Sequence, residues 1–221
     1  MARIIVMAIG ALWRVRMIRD TKKEREKDGK VSSEPRAIVH LLGLMTSLLR
    51  IGILQISDGS DIQGRDTGSS TDLAMNITAV FRRILPVLRI CSKWTRAHLS
   101  YLISLLPENG GNIAKEISTS VSDFWIAYQA FFTNLGRAFP LNEVPSLTNP
   151  LEEDADLNGF VPLKKTMISA VSKTLNGLAA DQSSVHPNEE HLMRISDLLR
   201  DAQEVAAEEV RLNLVIILLF A

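Results

Sequence analysis

The sequence predicts an all-α fold: stacked helical hairpins, solenoid-like, with long polar connectors. Three observations carry that prediction. Apolar residues recur at steps of three and four through most of the chain. No stretch alternates apolar and polar residues for long enough to make a sheet. Hydrophobic residues make up 46% of the chain and aromatics only 5%, an aliphatic bias that suits packed helices. At 221 residues the chain is long enough to bury a core, and residues 1–221 read as one helical-hairpin domain.

The elements follow in order. Residues 2–19 are apolar on most sides with scattered Arg, and the charge run TKKEREKDGK (21–30) follows, with Gly29 as a breaker. Ser32 and Ser33 precede Glu34-Pro35, a helix-start signature with Pro just inside. From there Ala37, Ile38, Leu41, Leu42, Leu44, Met45, Leu48, Leu49 and Ile51 keep the helical period. Residues 58–70 form a polar Gly/Ser loop. Ser70, Thr71 and Asp72 open an apolar segment over about 73–106, in which Pro86 is expected to kink or break the helix. Residues 112–139 place Phe124, Tyr128, Phe131, Phe132, Leu135 and Phe139 on one stripe. A Pro-containing acidic connector spans 140–162, an amphipathic segment covers 163–178, and Asn188 is the expected N-cap of a last helix. Five to seven helices result, with long polar breaks near 56–70 and 140–162.

Function classes narrow by absence. The sequence has no Gly-x-Ser-x-Gly, Walker loop, Gly-x-Gly-x-x-Gly or His-Glu-x-x-His, so no enzyme activity and no cofactor are expected. His186-Pro187-Asn188-Glu189-Glu190-His191 reads as a helix start, because His186 precedes Pro and His191 lies within the helix, so no metal site is expected. Cys91 is the only cysteine, which fits a reducing compartment and a small core side chain. Two apolar runs, Ile4–Trp13 and Leu212–Ala221, are each about half the roughly 20 residues a spanning helix needs. They read as core elements or a truncated continuation, with membrane association through the hydrophobic termini as the alternative function.

Charge is uneven although it sums to zero. Residues 1–110 carry 17 Lys and Arg against 10 Asp and Glu, and the remainder is correspondingly acidic. Within 73–107 there are no acids, and Arg82, Arg89, Lys93 and Arg96 fall at steps of seven, four and three, on one helical face. Such a stripe would contact phosphates without reading sequence and with steep salt dependence. The competing reading is an ordinary outer face of a packed helix, paired with acids from the C-terminal half. The acids Glu152, Glu153, Asp154 and Asp156 read as a solvated loop or docking surface, anchored by Leu157, Phe160 and Leu163, with Gly159 permitting a turn.

The stretch Asp156-Leu157-x-Gly159-Phe160-x-Pro162-Leu163, behind Glu152-Glu153-Asp154, resembles the connector of the Est/SMG family of telomerase-associated and nonsense-mediated mRNA decay factors. Phe124-Trp125-x-x-Tyr128 followed by Phe139-Pro140 is similar to the helix leading into it. Arg194, Ile195, Leu198, Leu199, Asp201 and Ala202 resemble the helix that follows it. The resemblance implies a DNA/RNA-binding domain of helical hairpins, a non-catalytic scaffold acting in mRNA decay or telomere maintenance. It further implies partners among decay or telomerase complex proteins, RNA or single-stranded DNA as nucleic acid, and residence in nucleus and cytoplasm. The family places a 14-3-3-like domain ahead of this region. Nothing in residues 1–221 matches that domain, so the chain is expected to be a fragment lacking it.

Overall fold

The computed structural model describes residues 2–23, 33–60, 70–105, 112–147, 150–164, 166 and 186–211. These contain helices α1 (Ala2–Lys23), α2 (Glu34–Ser60), α3 (Ser70–Met75), α4 (Ala79–Ala97), α5 (Leu99–Ser104), α6 (Asn112–Ala138), α7 (Glu152–Asp156) and α8 (Pro187–Arg211). One 3-10 turn, Val161–Leu163, lies between α7 and α8, and there is no strand among the described residues. The all-α fold is as expected. The segment 212–221 and nearly all of 163–178 fall outside the described residues.

The helix count exceeds the expected five to seven for a local reason. The apolar segment 73–106 divides into α3, α4 and α5, and its breaks do not fall at Pro86. Pro86 sits inside α4 without ending it. The first break is set by Thr78, whose extended backbone lets its hydroxyl accept the Phe81 N–H at 3.1 Å and donate to Gln55 Oε1 at 2.6 Å. The second is at His98, where the backbone leaves helical geometry for one residue. A cap with a side-chain partner therefore interrupts this chain more effectively than a Pro one full turn or more inside a helix. The last helix starts earlier than expected: Pro187 is its first residue, and His186 Nδ1 accepts the Asn188 N–H at 3.2 Å.

Helix α2 is the hub. Ile38, Leu41, Leu42, Met45 and Leu49 bury its inner face, and the helix lies against α1, α4 and α6. At Gly52 an added Cβ would come within 2.6 Å of the Phe131 ring, so the missing side chain is what lets α2 and α6 approach there. By length and composition α2 could cross a membrane, with mean hydropathy 1.9 over Glu34–Ser57. Its packing between three other helices makes it the core helix. Arg36, His40, Ser47 and Arg50 occupy its outer face at helical spacing.

Helix α1 shows a different division. Ile5, Ile9 and Leu12 are buried, which places part of the Ile4–Trp13 run in the core as expected. Ile4, Met7, Trp13, Met17 and Ile18 are exposed. The pairing of α4 with α8 joins segments about a hundred residues apart and sets the geometry of the region where the sequence-predicted residues meet.

Candidate functional site

The basic residues of α4 do not form a solvated stripe, and this corrects the sequence expectation. Arg89 is 0% exposed and Lys93 2%. Arg89 Nε donates to Asp197 Oδ2 at 2.6 Å and its Nη1 donates to Asp154 Oδ1 at 2.8 Å, with Glu153 Oε1 at 3.3 Å. Lys93 Nζ donates to Asp197 and Asp201, each at 2.9 Å. Arg96 is half-buried and pairs with Asp201 at 2.7 Å and Glu204 at 2.8 Å. Arg82 donates to the carbonyls of Ile77 at 3.1 Å and Ala74 at 3.2 Å, tying α4 back to the end of α3. The face faces inward because carboxylates from the C-terminal half are there to meet it. The alternative reading had the pairing right and the exposure wrong.

The connector is corrected by the same contacts. Glu152 and Asp156 are exposed, but Glu153 and Asp154 are buried. Those four acids form α7 together with Ala155, which lies between Asp154 and Asp156. Asp154 Oδ2 accepts the backbone N–H of Leu151 at 3.0 Å while Oδ1 faces Arg89, so one carboxylate caps α7 and anchors it to α4. Glu153 is gripped by Arg194, whose Nε and Nη2 lie 3.0 and 2.9 Å from its two oxygens, a bidentate pair. Arg194 also reaches Glu190 at 2.8 Å. Four cations (Arg89, Lys93, Arg96, Arg194) thus meet four buried carboxylates (Glu153, Asp154, Asp197, Asp201) where α4, α7 and α8 converge.

The ionisation states follow from that arrangement. Burial alone would raise Glu153 and Asp197. The bond from Arg194 and the charge of Arg89 hold Glu153 below its ordinary value, and the charges of Arg89 and Lys93 hold Asp197 below its own. Asp201 is raised: burial and the neighbouring Asp197 outweigh Lys93 and Arg96. Burial pushes the Cys91 thiol up to about 12, so it is an inert core group.

The apolar anchor of the connector is in place. Leu163 is buried, and Leu157 and Phe160 are partly buried against the core. Pro162 is buried in the 3-10 turn. Gly159 adopts φ +86°, a backbone that favours glycine. The Phe160 ring lies 3.8 Å from where a Cβ on Gly10 would be, so the connector returns to α1.

Sequence reasoning missed Asp197, and it used Arg194 and Asp201 only as a pattern. A signal was present: 89, 93 and 96 on α4 step by four and three, and 194, 197 and 201 on α8 step by three and four, with mainly opposite charge. Among the described residues no group of three or more His, Cys, Asp or Glu side chains is placed to hold a metal ion.

A second constellation lies where α1, α2 and α5 meet. A cleft of about 810 Å³ is lined by Arg16, Arg19, Glu34, His98, Ser100 and Tyr101 among others. The Arg16 guanidinium carbon stands 3.9 Å from the centre of the Tyr101 ring. Glu34 accepts from Arg19 at 2.5 Å and from the Tyr101 hydroxyl at 2.9 Å, and faces Arg16 at 3.7 Å. Burial and the bond to Glu34 raise the Tyr101 pKa, so the phenol stays protonated. His98 stacks on Trp94 with ring centres 4.9 Å apart. Burial lowers its pKa, and its Nδ1 lies 3.0 Å from the Trp94 carbonyl, which can only accept. The neutral ring therefore carries its proton on Nδ1 and offers Nε2 as an acceptor.

Comparison with known families supplies the class. A family model described as the Est1 DNA/RNA binding domain matches residues 2–167, three-quarters of the chain. The chain belongs to the Est1 DNA/RNA-binding-domain family. The match takes in α1 to α7 and the 3-10 turn, and so both constellations except the α8 side of the buried network. Neither the search of curated proteins nor that of solved structures found a match.

Proposed function

We propose that this chain is a non-catalytic helical scaffold that binds nucleic acid, serving an Est1-type factor in nonsense-mediated mRNA decay or telomere maintenance. Its proposed partners are proteins of decay or telomerase complexes together with RNA or single-stranded DNA, in nucleus and cytoplasm. The observation that carries the reading is the family match over residues 2–167. Nucleic-acid contact in this reading does not run through Arg89 and Lys93, which are buried and neutralised by carboxylates. The test is fluorescence anisotropy with labelled single-stranded RNA, single-stranded DNA and duplex across a salt series. Binding should weaken steadily with rising salt, because counterions released from the phosphates gain less entropy in a saltier solution. No binding at low salt would overturn the reading.

The exposed face of α1 favours a second reading. Ile4, Met7, Trp13, Met17 and Ile18 are solvent-facing beside exposed Arg3 and Arg14, so exposed apolar area and positive charge lie together on this helix. Flotation with anionic liposomes separates the two: co-flotation without oligonucleotide binding would favour membrane association.

A further inference from the structure

We infer that the cleft between α1 and α5 receives one unpaired base of a single-stranded nucleic acid, on the plane formed by Arg16 and Tyr101. The inference rests on the nucleic-acid reading above and gives it a place. Three features of the cleft point to a base. The first is the partly open cation–ring contact: the Arg16 guanidinium carbon stands 3.9 Å from the Tyr101 ring centre, and the side chain keeps 27% of its surface accessible. A guanidinium plane backed by an aromatic ring is a surface on which any base can lie, whatever its identity.

The second is charge. Arg16 and Arg19 are offset by Glu34, and Asp20 accepts from Arg19 at 3.1 Å. A balanced site suits a neutral base better than a phosphate, whose capture would call for uncompensated cations. The third is polar groups at the wall. His98 and the exposed Ser100 both line the cleft, so base edges have hydrogen-bonding side chains within it. The volume of about 810 Å³ exceeds that of one base and leaves room for its sugar. A base within a duplex is paired and stacked and cannot enter, so the cleft selects single strands.

The experiment uses the full chain and a fluorescein-labelled single-stranded oligouridylate of roughly 12 nucleotides, within the usual site sizes of single-strand binders. Tyr101→Leu keeps the apolar bulk and removes the ring face. Arg16→Lys keeps the charge and removes the plane. Each should weaken binding roughly 5- to 150-fold, the loss of one stacked base, while the slope of affinity against salt stays as in the unmutated protein. Tyr101→Phe should bind within about twofold of the unmutated protein, because the ring remains. Circular dichroism checks that each variant folds. If Tyr101→Leu does not, Arg16→Lys decides alone. A 4-thiouridine oligonucleotide should crosslink to the peptide bearing His98 to Ser104. Unmutated affinity in Arg16→Lys, or crosslinks mapping only elsewhere, would overturn the cleft and leave the family reading standing. Absence of oligonucleotide binding by the unmutated chain would overturn both.

Discussion

Arg89 on α4 and Asp197 on α8 lie 108 residues apart in sequence, and the Nε of the first donates to the Oδ2 of the second at 2.6 Å inside the protein. That contact joins the two halves of a chain whose N-terminal part is basic and whose C-terminal part is acidic. Desolvation offsets much of the attraction between such charges, so the pair adds little net stability compared with a well-packed apolar contact. Losing one partner is another matter, because the remaining charge stays buried.

Arg89→Met should therefore destabilise the protein by about 3–5 kcal/mol, since Asp154 and Asp197 would keep their burial and lose their main counter-charge. Urea unfolding followed by circular dichroism measures it. Adding Asp154→Asn to that variant should recover part of the loss, because the carboxamide carries no unpaired charge and keeps an oxygen for the Leu151 N–H. A single variant as stable as the unmutated chain would show that the network is dispensable.

Reversing the charge of Arg82, Arg89, Lys93 and Arg96 together should unfold the domain. Arg89→Glu and Lys93→Glu would set new carboxylates against Asp154, Asp197 and Asp201 in the interior. The helical signal should collapse and the melting transition should disappear. A folded quadruple variant would contradict the buried placement.

Acid should destabilise the domain. The folded-state values of Glu153 and Asp197 lie below their ordinary 4.5 and 3.8. Each contributes stability that is complete above its ordinary value and lost as pH falls through the lower folded value. Asp201, raised above 3.8, works in the opposite sense and gives back part of the loss in acid. The effect of Asp201 is spent once the pH has fallen to 3.8, whereas the loss from Asp197 falls below that pH, so the urea midpoint should drop below pH 3.8. A midpoint that stays level down to roughly pH 3 would count against the assigned pairings.

Two glycines should respond for different reasons. Gly52→Ala forces the buried Phe131 ring from a 2.6 Å approach, an overpacking cost of about 1–3 kcal/mol against a helix-propensity gain of about 1. Gly159→Ala meets nothing within 4 Å, so its cost is the backbone at φ +86°, about 1–2 kcal/mol. Thermal melts of both variants, with Gly43→Ala as a helical control in open space, test the distinction. The control should melt at or above the unmutated temperature.

Phe160→Ala should loosen the connector. The ring is partly buried against the core and beside α1, so its loss costs roughly 2 kcal/mol, about half of a full core truncation. Limited proteolysis should then cut within 145–165 faster than in the unmutated protein. Unchanged cleavage would show that Leu157 and Leu163 hold the segment without it.

The sequence by itself determined the helical class, the core stripes of α2 and α6, and the anchoring of the connector through Leu157, Phe160 and Leu163. Each depends on a period or a composition within a few turns of chain, which is local information. It also placed Arg89, Lys93 and Arg96 on one face, because 3.6 residues per turn fixes that without any partner. What that face meets was decided only by tertiary structure. A run of basic residues without nearby acids reads as solvated when its carboxylates are about sixty to a hundred residues away. Glu153, Asp154, Asp197 and Asp201 arrive through the packing of α7 and α8, and burial becomes tolerable because they do. The Arg16–Tyr101 cleft was out of reach for the same reason. Its walls come from several helices, and side chains 85 positions apart acquire a shared chemistry only when the core brings their helices side by side.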